Sequence, residues 1–421
     1  MARDGWNHAI GIARIASSSG RGPIGAAARS ARWSFDDDAG NRGTRVYYRQ
    51  YNRAMATSSR RRRAATRRPP TKLRVGAATV NWSDLQGLRA AWQGRQLVLF
   101  LGAGVSIPYG LPSWKNLVLE LLFEQAERTR RLGRMWPHYR RAVASWMTDY
   151  FDYDPLVLAR MFERDLRRRL GGAAPSDEEF LERLRVHMYA HVREPQGRTL
   201  LRTVADLVAR GTARSGVEAV VTFNFDDLLE QELAARQVNV SSVINRERQK
   251  GDGLRIVHAH GFVPRTGPIS REHIVFTEPD YHRLTESVFH WGLSEIVERL
   301  RKSTVLFIGL SMSDPNLRRL LDASRNSDIP PHWQIQKRHA IRDHELRDAM
   351  IDVERRARVY AADIGTGFDE QKKPDQLEDA IRAALLQADT YDDNVFESMG
   401  VKTIWVDRFD QIPDIIDAIA K

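Results

Sequence analysis

Four short stretches of the chain set small or polar residues directly behind apolar runs. The first is Gly102-Ala103-Gly104-Val105-Ser106, behind Leu97-Val98-Leu99-Phe100-Leu101. Two glycines at such a point let the backbone approach a phosphate with no Cβ in the way, and Ser106 adds a hydroxyl donor. The third glycine of the usual dinucleotide turn is missing, because Ile107 stands there. A tight strand-to-helix turn without ligand is the plainer alternative.

The second stretch is Val220-Val221-Thr222-Phe223-Asn224-Phe225-Asp226-Asp227. Asp226 or Asp227 suits a helix N-cap. Asn224 is not explained that way, since an amide at a strand end donates and accepts at once and can hold ribose hydroxyls or a water. The third is Ile256-Val257-His258-Ala259-His260-Gly261. On a continuing strand His258 and His260 share a face, and histidine suits proton transfer near neutral pH. The fourth is Val305-Leu306-Phe307-Ile308-Gly309-Leu310-Ser311-Met312-Ser313-Asp314. Gly309 permits close approach and Ser311 offers a donor. Asp314 followed by Pro315 also reads as a helix N-cap with proline at the first helical position.

Strands are needed to bring these stretches together. Short apolar runs occur at about 97–101, 218–222, 239–244, 255–259, 273–276, 304–308 and 402–406. Helical patterns separate several of them, at 285–301, 314–325, 343–357 and 410–420. This alternation predicts an α/β fold, a doubly wound, mostly parallel Rossmann-like sheet. Residues 113–210 are helical in pattern throughout and read as a large helical insertion after the first strand. Within them Gly171–Pro175 reads as a loop, and Ser176 with Glu179 has capping-box spacing. The acidic, polar stretch 363–395 reads as a surface excursion. In a doubly wound sheet ligands bind beyond the carboxyl ends of the strands, so the four stretches point to one crevice.

Composition narrows the function classes. The 421 residues contain no cysteine, which excludes disulfides, a thiolate nucleophile and any Cys-ligated zinc or iron–sulfur centre. That fits a cytoplasmic protein. No apolar run approaches the ~18 residues of a membrane span. The net charge of +11 is uneven, because residues 1–75 hold 17 basic and four acidic side chains and the other 346 hold 48 and 50. Residues 1–80 therefore read as a disordered basic tail, with ordered chain from about Asn81. An over-extended start, with Met55 as the true first residue, and an Arg-rich transit peptide are alternatives. Asp36–Asp38 argue against the latter. Attraction to nucleic acid is weak and confined to the Arg-rich tail.

Taken in order, these residues resemble the sirtuin superfamily, over about 83–421. The matching positions are Gly102–Ser106, Thr222–Asp226, His260-Gly261, and Gly309 with Ser311. The variants Leu111-Pro112-Ser113-Trp114, Gly309–Asp314 and Phe276-Thr277-Glu278-Pro279-Asp280-Tyr281 resemble the bacterial branch found in anti-phage defence proteins. Two departures set the chain apart from the protein deacylases. Their four-cysteine zinc module cannot exist here, and Pro-Ser-Trp stands where they carry Pro-Asp-Phe-Arg.

The resemblance implies NAD as substrate, no zinc, and hydrolysis of the nicotinamide–ribose bond. Asn224 and His260 would be catalytic, with His258 as rival to His260. Gly102, Ala103, Gly104, Ser106, Thr222, Asp226, Gly261, Gly309, Ser311 and Asp314 would bind the dinucleotide. Control of such an activity implies a homo-oligomer, a partner ATPase or a phage-derived trigger. The alternatives are a non-catalytic NAD or ADP-ribose sensor, a zinc-free deacylase, and a nucleic-acid-binding module acting through the tail.

Overall fold

A computed structural model describes residues 72–128, 142–143, 146, 150, 154–171, 173–245, 252–286, 291–325, 330–363, 365 and 377–421. The readings made for residues 1–71 lie outside these. Residues 72–80 read as tail, but they are ordered chain in a hairpin. β1 (Lys72–Val75) and β2 (Ala78–Asn81) form an antiparallel hairpin. Gly76, at φ +57, makes its turn. The segment is short and basic at its start, so its periodicity is too brief to read. What holds it is the far end of the chain. Gln411 Nε2 donates to Ala77 O at 2.9 Å and Ala77 N donates to Asp414 at 3.3 Å.

α1 (Trp82–Gln93) buries Leu85, Leu88 and Ala91, one face at helical spacing. β3 (Leu97–Leu101) is buried on both sides. Leu97, Leu99 and Leu101 join the core shared with α1, while Val98 and Phe100 join the core on the opposite face. This is why the run reads as continuously apolar.

Among the described residues between β3 and β4 (Val217–Thr222), helices predominate. α2 (Trp114–Arg128), α3 (Pro155–Leu170) and α4 (Ala173–Tyr189) pack on one another. α5 (Leu200–Ala209) packs instead beside the sheet, against α12 (Ile412–Ile419). Asp154 caps α3, accepting from Leu156 N at 2.7 Å, and Gly171 ends it at φ +72. α4 begins at Ala173, so Pro175 and Ser176 lie within its first turn. The loop read at 171–175 is therefore shorter than expected, and Ser176 is not the cap.

After β4 come α6 (Leu228–Ala234), β5 (Val240–Val243), β6 (Leu254–His258), α7 (Glu278–Glu286) and α8 (Trp291–Lys302). Then follow β7 (Thr304–Ile308), α9 (Pro315–Ser324), β8 (His332–Lys337), α10 (Asp343–Asp363), α11 (Leu377–Ser398), β9 (Val401–Val406) and α12. The large sheet has the order β5-β6-β4-β3-β7-β8-β9, and every pair is parallel. Its helices pack on both faces. The fold is a doubly wound Rossmann-like α/β sheet. The strand order reverses beside β3, and there the loops after β3 and β7 adjoin.

Three further elements differ from expectation. Residues 273–276 are not a strand. Ile274, Val275 and Phe276 are buried extended chain, and Phe276 packs against Trp114, Phe180 and Phe225 at ring distances of 5.9, 5.6 and 6.1 Å. The run is apolar because it seats the helices of 114–189 on the sheet. β8 was not foreseen, since polar residues interrupt it. Gln334 is nonetheless fully buried and donates to Thr403 Oγ1 at 2.9 Å, and burial lowers the His332 pKa to about 4. In the stretch read as a surface excursion, residues 377–398 form α11, whose buried residues are Leu377, Asp389 and Phe396.

Candidate active site at the carboxyl ends of the strands

The loops after β3, β4, β6 and β7 converge at the reversal of strand order. Thr222 ends β4, and its hydroxyl accepts from Asn224 N at 3.1 Å. That local turn aims the Asn224 side chain at the neighbouring loop. Asn224 Nδ2 donates to Gly102 O at 3.0 Å and to Ser106 Oγ at 3.1 Å. Ser106 is buried and in turn hydrogen-bonds Asp226. The Asp226 carboxyl also accepts from Leu228 N at 3.2 Å, at the start of α6. Burial pushes the Asp226 pKa up to about 6, against the opposing pull of those two donors. Asp227 accepts from Gln231 Nε2 at 2.8 Å and from Arg265 N at 3.1 Å.

The glycine loop differs from the expected open cradle. No long helix follows Gly104 directly. Two short 3₁₀ turns, Ala103–Val105 and Ile107–Tyr109, come first, and α2 starts only at Trp114. The amides of Gly102, Gly104, Val105 and Ser106 all donate to protein carbonyls, those of Ile308, Gly309, Gly102 and Ala103 respectively. A Cβ on Gly102 would stand 2.6 Å from Gly309 O, and one on Gly104 would stand 2.7 Å from Gly309 Cα. Glycine is thus demanded by two backbones in contact. Gly309 itself has φ +66. At the far end of this loop Tyr109 donates to Glu232 on α6 at 2.6 Å. Burial and the Glu232 hydrogen bond raise the Tyr109 pKa to about 12.

β6 ends at His258, so the two histidines part company. His258 is fully buried, with Nε2 2.8 Å from Glu230 Oε1 and Nδ1 3.4 Å from Asn224 O. Burial alone would raise the Glu230 pKa, but the His258 imidazole and its hydrogen bond outweigh this and lower it. His260 sits in the turn beyond the strand. Its Nε2 is 3.7 Å from Asp314 Oδ2. Its ring meets those of Phe223 and Tyr281 edge-on at 5.0 and 5.5 Å. Gly261 follows at φ +107, where a Cβ would stand 2.3 Å from His273 O.

Asp314 caps α9, accepting from Asn316 N at 2.8 Å. Ser311 is exposed and hydrogen-bonds Ser313 at 2.6 Å. Asn224, Ser106 and Asp226 thus form one hydrogen-bonded group, His260 and Asp314 form a second pair, and the Phe223 ring beside Asn224 packs on His260. Between Ser311 and Ser313, Met312 is buried at φ +57, a strained conformation for a side-chain-bearing residue.

Residues 218–358 match the family model described as SIR2-like domain. The matched stretch contains Asn224, Asp226, His260, Gly261, Gly309, Ser311 and Asp314, while Gly102–Ser106 precede it. No curated protein matches the chain. Among solved structures it is similar to a crystal structure of Sir2 in complex with the inhibitor EX-527, 2′-O-acetyl-ADP-ribose and deacetylated p53 peptide. The identity is 14%, the TM-score 0.26, and the match covers 60% of this chain and 86% of that one.

The fold brings in residues that spacing did not single out. Tyr281 lies against His260, and burial together with the nearby Asp314 and Asp154 carboxylates raises its pKa. Phe223 wedges between Phe100 and His260. Behind Tyr281, the buried Asp280 accepts from Thr277 N at 2.8 Å and from Arg271 at 2.9 Å. Arg271 also bonds Glu163 on α3 at 2.7 Å, tying the helices of 114–189 to this wall. The segment 276–281 was visible in the sequence as a motif, but only folding shows that its tyrosine faces His260. Among the described residues no group of three or more His, Asp or Glu side chains is arranged to hold a metal ion. None of their helices is long and apolar enough to cross a membrane.

Proposed function

We propose that the SIR2-like domain hydrolyses NAD at the nicotinamide–ribose bond, releasing nicotinamide and ADP-ribose or its cyclic form. The observation that carries this reading is the pairing of an oriented amide, Asn224, with an oriented imidazole, His260, at the switch point of a doubly wound sheet. The match to a SIR2-like domain over both residues supports NAD as the ligand.

In this reading NAD lies across the strand ends. Gly102 and Gly104, with the small Ala103 between them, form a nearly bare floor beneath the diphosphate. Because most of their amides are engaged, the loop contributes shape more than charge. Asn224, fixed by Gly102 and Ser106, presents its amide to the nicotinamide ribose and the attacking water. Thr222 and Asp226 hold Asn224 and Ser106 in place. As the C–N bond breaks, an oxocarbenium-like centre forms on the ribose and nicotinamide leaves neutral, so no strong general acid is required. Water adds to that centre, and its proton passes to His260, which Asp314 orients. Such a base contributes about 10²–10⁴-fold. Gly261 sets the His260 turn, while Gly309 and Ser311 border the adenosine-side ribose. His258, sealed against Glu230, is left to a structural role.

Depletion of NAD in this way fits a role in anti-phage defence. Because unrestrained hydrolysis would drain the host, the reading entails control by assembly into a homo-oligomer, by a partner ATPase or by a phage-derived trigger. The test is NAD consumption by the purified chain, with nicotinamide and ADP-ribose resolved, beside Asn224→Ala and His260→Ala. Activity lost in both variants is the expected result. Tight NAD binding with no turnover under any condition would favour a sensor, and no binding would sink the reading.

A further inference from the structure

Of the fourteen large apolar side chains exposed among the described residues, seven lie on α10 and α11. Ile351, Val359 and Tyr360 project from α10, and Leu386, Tyr391 and Val395 from α11. Single exposed apolar residues are ordinary on a protein surface, but a concentration on two neighbouring helices marks a contact surface.

The helix α10 spans 21 residues, and its buried residue is Leu346, in its first turn. A helix takes most of its stability from an apolar face packed on something else. Beyond Leu346 no side chain of α10 is buried. The two helices meet near their starts, where Arg382 stands 3.4 Å from Asp343.

The two exposed surfaces differ in sign. Residues 355–360 of α10 read Arg-Arg-Ala-Arg-Val-Tyr, three bases and no acid. Residues 390–397 of α11 hold Asp392, Asp393 and Glu397 and no base. Arg355 and Arg356 each donate to Asp352 at 2.6 Å, and they are 65% and 60% exposed. Pairs so exposed contribute little and exchange readily for others. The apolar spans match in length too. Ile351 to Tyr360 and Leu386 to Val395 are ten residues each, about 15 Å of helix. The exposed positions between the apolar residues of α11, Gln387, Thr390 and Asn394, are uncharged, and the centre of a protein interface is depleted of charge.

We infer that the exposed second half of α10 in one copy of the chain docks on the exposed face of α11 in a second copy, and that the contact is reciprocal, giving a two-fold dimer. A surface pairing with its own copy would set like charges together, whereas α10 on α11 sets opposite charges together. Each copy then gives one helix and receives one, so both contacts form at once. This pairing does not depend on the reaction proposed for the crevice.

Sedimentation of the full chain over about a hundredfold range of concentration tests this. Dimers are expected at the upper end and should weaken as salt is added. Two charge-reversed chains, Arg355→Glu with Arg356→Glu and Asp392→Arg with Glu397→Arg, should each stay monomeric with unchanged helical content, because like charges then face each other. Mixed one to one they should dimerise again, since each reversed surface meets its opposite. Tyr391→Ala, which alters no charge, should weaken the dimer at least about tenfold. A wild type that is monomeric throughout, a dimer that survives both reversals, or a mixture that stays monomeric would overturn the inference. NAD consumption by the same wild-type preparation bears on the crevice alone.

Discussion

One carboxylate serves two elements in this protein: Asp314 Oδ1 accepts from Asn316 N at 2.8 Å to cap α9, while its Oδ2 lies 3.7 Å from His260 Nε2. A cap needs only an acceptor oxygen. Orienting an imidazole and stabilising its protonated form needs the negative charge.

Asp314→Asn separates the two tasks. Asparagine caps about as well as aspartate, so thermal stability should stay within about 0.5 kcal/mol. The proposed turnover should fall by about tenfold or more, because the charge beside the His260 imidazole is gone. Melting curves and NAD consumption, measured on the same preparation, check both halves.

Asp226 makes a second prediction, about pH. Its folded pKa, about 6, is raised above the ordinary carboxyl value. The folded state therefore binds the proton more tightly, and this contribution to stability is fully present below about pH 4. It is lost as pH rises through 6. Near pH 7–8 the buried charge is a cost, so Asp226→Asn should stabilise the fold by about 1–3 kcal/mol there and by almost nothing near pH 4. Denaturant titrations at the two pH values measure the difference. Destabilisation at pH 8 would mean that the carboxylate is required by Ser106 and Leu228 in its charged form.

The third concerns His187 on α4. Burial disfavours its charged form, but hydrogen bonds to Glu120 and Glu124 outweigh burial and raise its pKa to about 9. The Glu124 contact is 2.9 Å. The resulting stabilisation is complete below about pH 6.5 and disappears as pH rises through 9. Stability should fall by about 1–3 kcal/mol over that window. His187→Gln should flatten the decline while keeping a donor for one glutamate. Thermal unfolding followed from pH 6 to pH 10 reads this directly.

Much of the fold was legible because a buried parallel strand is apolar along its whole length, as Leu97–Leu101 and Thr304–Ile308 are. The same rule misled at Ile274–Phe276, where an apolar run packs under a helical layer instead of pairing in the sheet. It hid His332–Lys337, where Gln334 is buried but hydrogen-bonded across to Thr403. Strand ends were easy to locate, because Gly, Asn and His interrupt apolar runs there. What each residue faces was harder to read. Alternation placed His258 and His260 on one side, yet the strand stops at His258, so one ring is sealed beside Glu230 and the other turns to Asp314. The glycines at 102, 104 and 309 look alike in sequence whether they approach a phosphate or each other. Tyr281 meets His260 beside the Asp280–Arg271–Glu163 linkage, in which Arg271 and Glu163 lie 108 residues apart.

The hairpin at 72–81 and the helix at 412–419 bear on how the protein is made. Ile412, Ile415, Ile416 and Ile419 are all buried, and they close the same core that α1, α5 and β3 begin. A nascent chain that has emerged only as far as α11 therefore lacks the helix that closes this core, and leaves the apolar side of α1 and α5 that α12 covers open to water.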